Sequence, residues 1–159
     1  MLEYLVVRSF ELEGAEVAYL FTVQMDGTIV EQIDGSVYAN GLYCLIECKD
    51  QAGNVNIDPI AKLRNQLLRR PPAVCGILFS TSGFTEATEI LTQYSTQPAI
   101  MLWNGADLNY ALQHKCLRRG LVRTNPTCGD RLPLVPMAAT RSKTQVIRSR
   151  ITVIELAFN

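Results

Sequence analysis

Two periodicities of apolar residues divide the chain into candidate helices and strands. Apolar residues three and four apart predict a helix over residues 12–24, which Asp26-Gly27 ends, and another over residues 57–70, which Pro71-Pro72 closes. Short continuous apolar runs predict buried strands over residues 73–79 and 99–103. Further strands are predicted over residues 28–34 and 41–49, and further helices over residues 84–94 and 106–118.

The predicted order, α-β-β-α-β-α-β-α, favours an α/β sandwich in which helices flank a central mixed sheet. A chain of 159 residues fits one domain. We expect a single domain over residues 1–159, with its core over about residues 11–118 and a basic C-terminal extension over about residues 119–159.

Composition and charge narrow the class of protein. With 48% apolar and 19% charged residues, the chain is typical of soluble globular proteins, and its apolar runs fall short of the ~18–20 residues that span a bilayer. Because the N-terminal residues lack the pattern of a secretory signal, we expect a cytoplasmic protein. Residues 1–58 carry a net charge of −8 and residues 108–159 one of +7. This asymmetry suggests an acidic centre beside a polyanion-binding surface, or two halves that neutralise each other on folding.

The dipeptide Asn40-Gly41 predicts a hairpin with a two-residue type I′ turn, because both central residues need positive φ. Such a turn fixes the register, so that opposed residues have numbers that sum to 81. One face then carries only apolar residues or Gly, as a core face requires. Its pairs are Ile33 with Cys48, Gly35 with Ile46, Val37 with Cys44, and Ala39 with Leu42.

On the other face the same register places Asp34 across from Glu47, with Lys49 two residues further along. Two facing carboxylates repel one another unless a cation lies between them. Carboxylate oxygens suit Mg²⁺ or Mn²⁺, and Lys49 would be near enough to orient a water or stabilise charge on a phosphate. The alternatives are a solvated hairpin face on which Lys49 neutralises Glu47, and a bulge that shifts the register by one residue.

These residues resemble the motif of the PD-(D/E)xK phosphodiesterases and, within them, of the Mrr-like restriction endonucleases. The motif corresponds to residues 33–35 followed by residues 45–49. Residues 76–87 are similar to the family's next strand, Ser/Thr turn and helix start, and residues 100–108 to the strand and turn after it. The resemblance covers about residues 11–115. It implies a restriction-endonuclease-like fold, DNA as the partner, no membrane, and a homodimer or a larger restriction or repair assembly.

The resemblance also implies site residues. Asp34, Glu47 and the backbone carbonyl of Cys48 would bind Mg²⁺ or Mn²⁺, while Lys49 positions the attacking water. The family's first helix usually offers an acid, for which Glu13 and Glu16 compete, and we favour Glu16. Gln66 resembles a glutamine that some branches place beside the metal; the alternative is an exposed helix residue.

Other residues are candidates for contacts with DNA. The hydroxyls of Ser80, Ser82 and Thr85 could hold a phosphate oxygen at a helix start, although such residues more often cap the helix. Arg69 and Arg70 could contact the nucleic-acid backbone, or form an ordinary solvated charge run.

The sequence therefore predicts a Mg²⁺-dependent endodeoxyribonuclease. The first alternative is a catalytically silent nuclease-fold module for DNA binding or assembly. The second is an unrelated α/β domain for a small molecule, but the chain lacks the Gly-rich phosphate loops of nucleotide-binding domains.

Overall fold

A computed structural model describes residues 1–94 and 99–121, which form five strands and five helices. Residues 122–159, most of the predicted basic extension, lie outside the described residues. The strands are β1 (Glu16–Met25), β2 (Thr28–Ala39), β3 (Leu42–Lys49), β4 (Val74–Ser80) and β5 (Ile100–Trp103). The helices are α1 (Leu2–Leu12), α2 (Asp58–Leu68), α3 (Glu86–Tyr94), α4 (Gly105–His114) and α5 (Leu117–Gly120).

The five strands form one mixed sheet in the order β1-β2-β3-β4-β5. β1, β2 and β3 pair antiparallel, whereas β3, β4 and β5 pair parallel. Parallel neighbours need a crossover connection, and here α2 and α3 supply it. The predicted mixed sheet with flanking helices is thus confirmed.

The region predicted as the first helix is instead an edge strand, β1. Exposed and half-buried residues alternate along it, with Val17, Tyr19 and Phe21 on the half-buried side. The prediction was wrong because Ala15, Tyr19 and Val23 lie four residues apart. A spacing of four puts residues on one side of a helix and equally on one face of a strand.

The first helix is α1, earlier in the chain, and the predicted core boundary at residue 11 is therefore too late. Leu2, Val6, Val7 and Phe10 are buried at helical spacing and pack into the core. Gly14, with φ of +80°, follows the helix and lets the chain turn into β1.

Two apolar layers lie on opposite faces of the sheet. One contains the buried residues of α1, α4 and α5 together with Cys44, Ile46 and Cys48 of β3. The other contains Leu45 and the buried residues of α2. None of the helices in residues 1–94 and 99–121 has the length and apolar character that crossing a bilayer requires.

The Asn40-Gly41 turn sets the register between β2 and β3 as predicted. Both turn residues have positive φ, 55° and 80°. Five opposed pairs follow the predicted sum, from Ala39–Leu42 to Gly35–Ile46. Cys44 and Cys48 are buried and free, as expected.

Helix α2 lies close against β4 because residue 76 has no side chain. A Cβ atom built on Gly76 would lie 2.9 Å from Cδ2 of Leu63 and 2.9 Å from Cδ1 of Leu67. A larger residue there would therefore require the Leu63 and Leu67 side chains to shift.

Candidate active site

The ladder between β2 and β3 ends at Gly35–Ile46, one residue before Asp34. Asp34 and Glu47 consequently form no ladder pair, and the prediction that they lie directly opposite is wrong in this detail. Instead, the Asp34 carboxylate turns to the neighbouring strand, where its Oδ2 accepts a hydrogen bond of 2.8 Å from the Cys48 amide. Ile33, predicted on the face with Val37, packs instead with Leu45 in the other apolar layer.

Asp34 still belongs to the same charged cluster as Glu47. Burial raises the pKa of Asp34 above its usual value, and the negative charge of Glu47 raises it further. The Cys48 amide and the charges of Lys49 and Lys62 act in the opposite direction. The four charged side chains therefore form one electrostatic unit, which we call the carboxylate cluster: Asp34, Glu47, Lys49 and Lys62.

Glu47 is the buried centre of this cluster, with only 1% of its surface exposed. Its Oε1 accepts from Lys49 at 2.7 Å and from Lys62 at 2.9 Å, and its Oε2 accepts from Lys62 at 3.1 Å. A buried carboxylate without such partners would be costly, and the two ammonium groups offset that cost for Glu47.

Lys62 was not singled out from the sequence. It lies in α2, four residues before Gln66, so the two side chains project from the same side of the helix. The order of elements did offer a signal for Lys62. A helix that follows the Glu-x-Lys strand and packs on the sheet can bring the polar residues of one helix side to the end of that strand. Which side of the helix faces the strand depends on how the helix packs, and the periodicity of apolar residues does not specify this for the polar ones.

Gln66 is buried, so the alternative of an exposed helix residue is wrong. Its side-chain amide donates to the backbone carbonyl of Gln32 at 3.3 Å, two residues before Asp34. It therefore stands near the carboxylate cluster and fastens α2 to β2. A direct role beside a metal stays a prediction.

The acids weighed for the first helix lie elsewhere. Glu16 begins β1 opposite Tyr38, four residues along β2 from Asp34, so the structure does not bring it to the cluster. Glu13 follows α1, where its carboxylate accepts from the amides of Leu117 at 3.0 Å and Arg118 at 2.8 Å. Its role is to cap α5.

The true first helix carries a different acid at the end near the cluster. The negative charge of Glu3, in the first turn of α1, contributes to raising the pKa of the Cys48 thiol, after the larger effects of burial and Asp34. Glu3 was missed because residues 2–12 were not predicted as a helix.

The hydroxyls predicted to hold phosphate have structural partners. Ser80 is fully buried, where its Oγ accepts from the Gly83 amide at 3.1 Å. Ser82 donates to the carbonyl of Gly53 at 2.7 Å, and Oγ1 of Thr85 accepts from the Thr88 amide at 3.3 Å just before α3. These contacts shape the turn and cap the helix, and Ser80 is not accessible to a phosphate.

Arg69 and Arg70 form ion pairs with Glu31, a buried acid of β2. Burial alone would raise the pKa of Glu31, but the guanidinium groups of Arg70 and Arg69 hold it below its usual value. Arg70 approaches Oε2 of Glu31 to 2.6 Å. The two guanidinium groups thus tie the end of α2 to β2, and a contact between them and DNA stays a prediction.

The donors present suit a hard divalent cation. Oδ1 of Asp34 forms no hydrogen bond with any described residue, and Glu47 frees its Oε2 if Lys62 moves away, while Oε1 keeps Lys49. In an extended strand the N–H and C=O of one residue point toward the same neighbour, so the Cys48 carbonyl faces the side of Asp34. No group of three or more His, Cys, Asp or Glu side chains is gathered within residues 1–94 and 99–121, so a metal here would rest on two carboxylates and a carbonyl.

Comparison with known proteins identifies the fold and the family. No curated protein matches the chain in sequence. The DNA modification-dependent restriction endonuclease AspBHI is 20% identical with a TM-score of 0.50, over 81% of this chain and 33% of that one. This similarity supports the restriction-endonuclease-like fold.

Two further solved structures are similar to this chain. AF1548, described as a protein of unknown function, is 20% identical with a TM-score of 0.49, over 65% of this chain and 56% of that one. MspJI restriction endonuclease, in complex with a 27-mer oligonucleotide, is 15% identical with a TM-score of 0.46, over 93% of this chain and 35% of that one. The chain thus spans between a third and just over half of these solved chains. Residues 1–112 match the restriction endonuclease family Mrr_cat, and the chain belongs to that family.

Proposed function

We propose that the chain is the catalytic domain of an endonuclease that hydrolyses DNA phosphodiester bonds with Mg²⁺ or Mn²⁺. The observation that carries the proposal is the carboxylate cluster at the end of β3, in a chain of the Mrr_cat family. Restriction endonuclease domains generally use divalent metals. DNA as the partner, and a homodimer or a larger restriction or repair assembly in the cytoplasm, are parts of the same proposal.

Asp34, Glu47 and the Cys48 carbonyl would hold the cation. When bound, it would lower the pKa of a water and polarise the scissile phosphate. The fold holds Asp34 in place through the Cys48 amide, and it buries Glu47 so that its charge is little screened by solvent.

Lys49 would act on the substrate side of the cluster. Its ammonium is anchored on Oε1 of Glu47, and 29% of its side chain is exposed, so it can also face a bound phosphate. From there it would orient the attacking water and stabilise negative charge that develops on the phosphate. Because such stabilisation is stronger in the transition state than in the ground state, Lys49 would contribute to turnover more than to DNA affinity.

The test is cleavage of plasmid, single-stranded and branched DNA by the purified protein with Mg²⁺ or Mn²⁺. We expect metal-dependent cleavage of at least one substrate, and its loss in Asp34→Asn and Glu47→Gln. Asp26→Asn, in the turn between β1 and β2, is the matched control, because it removes an exposed acid distant from the cluster. DNA binding without cleavage under every condition would instead favour the catalytically silent module.

A further inference from the structure

Lys62 holds Glu47 more completely than Lys49 does. Its ammonium lies 2.9 Å from Oε1 and 3.1 Å from Oε2 of Glu47, whereas Lys49 contacts Oε1 alone. Its ammonium therefore lies against both oxygens of a buried carboxylate that the proposed divalent cation also needs, while the positive charges of both lysines act on Asp34.

The two lysines differ in how readily their ammonium groups could move away from Glu47. The side chain of Lys62 is 50% exposed and starts from α2, across from the sheet, whereas that of Lys49 is 29% exposed and starts from β3 itself. A half-exposed lysine can swing its ammonium into water at little cost. Lys49 would meanwhile keep Glu47 from being left without a partner.

From this geometry we propose that Lys62 is an internal counter-ion that occupies the cation position while no metal is bound and must be displaced when one binds. The inference rests on the metal site of the proposed function. Lys62 is thus a positioning residue: it keeps the buried Glu47 neutralised and in place, and in doing so it lowers the metal affinity of the domain.

The test compares Mn²⁺ binding by the parent domain and three variants, measured by isothermal titration calorimetry without DNA. Lys62→Met keeps the length of the side chain and removes its charge. Lys62→Arg keeps the charge, and Arg64→Met removes an exposed positive charge two residues away on the same helix.

We expect Lys62→Met to bind Mn²⁺ about tenfold more tightly than the parent, because a charge near the cation acts through a partly screened medium. Lys62→Arg should stay near the parent, and Arg64→Met within about twofold of it. The melting temperature provides a second measurement. The metal-free Lys62→Met protein should melt lower than the parent, and added Mn²⁺ should raise its melting temperature by more.

Two results would overturn the inference. If parent and Lys62→Met bind Mn²⁺ with equal affinity, and the variant loses the same thermal stability with and without metal, Lys62 only supports the fold, while the metal site stands. If neither binds Mn²⁺, the inference fails together with the proposed metal site.

Discussion

The Oδ2 of Asp34 accepts its hydrogen bond from the backbone amide of Cys48, the residue between Glu47 and Lys49 on the adjacent strand. Three consecutive residues of β3 therefore contribute side chains or backbone to the cluster, while β2 supplies the second carboxylate and α2 supplies Lys62. The bond also orders Asp34 without a ladder pair, because the ladder has already ended at Gly35.

We expect Asp34→Asn to stabilise the metal-free domain by about 1 kcal/mol at pH 7 while weakening Mn²⁺ binding. The amide oxygen can still accept from Cys48, and the charge that burial and Glu47 disfavour is gone. Since the pKa of Asp34 is raised in the fold, the parent loses stability as pH rises through that value, and the variant does not. Chemical denaturation at several pH values measures this difference, which should vanish below about pH 3. A variant less stable than the parent at pH 7 would contradict the conclusion that the fold disfavours the charged form of Asp34.

Lys49→Ala should reduce DNA cleavage by about a hundredfold or more, with little change in DNA affinity. Thermal stability should fall only slightly, because Lys62 continues to neutralise Glu47. Single-turnover cleavage and a binding titration in Ca²⁺ separate turnover from affinity. Lys115→Ala, at the C-terminal end of α4, is the matched control for the loss of a lysine. Unchanged cleavage in Lys49→Ala would remove Lys49 from the catalytic assignment.

Glu31→Gln should destabilise the domain by about 1–2 kcal/mol at neutral pH by breaking the ion pairs with Arg69 and Arg70. The pKa of Glu31 is lowered in the fold, so its stabilisation is present above the usual Glu pKa and is lost as pH falls through the folded value. Denaturation curves of parent and variant should therefore converge in acid. Glu16→Gln, which alters an exposed acid of β1, serves as the control. A stability difference that does not depend on pH would argue against the ion pairs as its cause.

Thr85→Ala should cost about 1 kcal/mol of stability through the lost cap of α3, and leave DNA affinity unchanged. Thr85→Ser keeps the hydroxyl and should behave like the parent. Thermal melting and a DNA-binding titration on the three proteins provide the comparison. A loss of DNA affinity without a loss of stability would restore the phosphate contact predicted from the sequence.

The sequence determined the β2–β3 hairpin well, because Asn40-Gly41 has few ways to turn and the apolar pattern has one matching register. It could not reveal where the ladder ends. At Asp34 the side chain accepts the hydrogen bond of the Cys48 amide, and the alternation of polar and apolar residues does not indicate such a contact.

Other errors came from tertiary placement. The strand β1 was predicted as a helix because a spacing of four residues fits both structures, and the helix α1, which carries the acid Glu3, was not predicted. The partners that Arg69, Arg70 and Ser80 have within the fold could not be predicted, because only the polar character of these residues was visible in the sequence. Lys62 is the opposite case: it was not predicted as a site residue, yet the packing of α2 brings it to Glu47.

At Gly76 the helix α2 packs directly on the backbone of β4. Leu63 and Leu67, whose side chains lie closest to that position, belong to the same helix as Lys62 and Gln66. A methyl group there would have to be accommodated by those two leucine side chains. The helix that presents Lys62 to Glu47 is therefore seated by two leucines packed on a residue that carries no functional group and lies on a different strand.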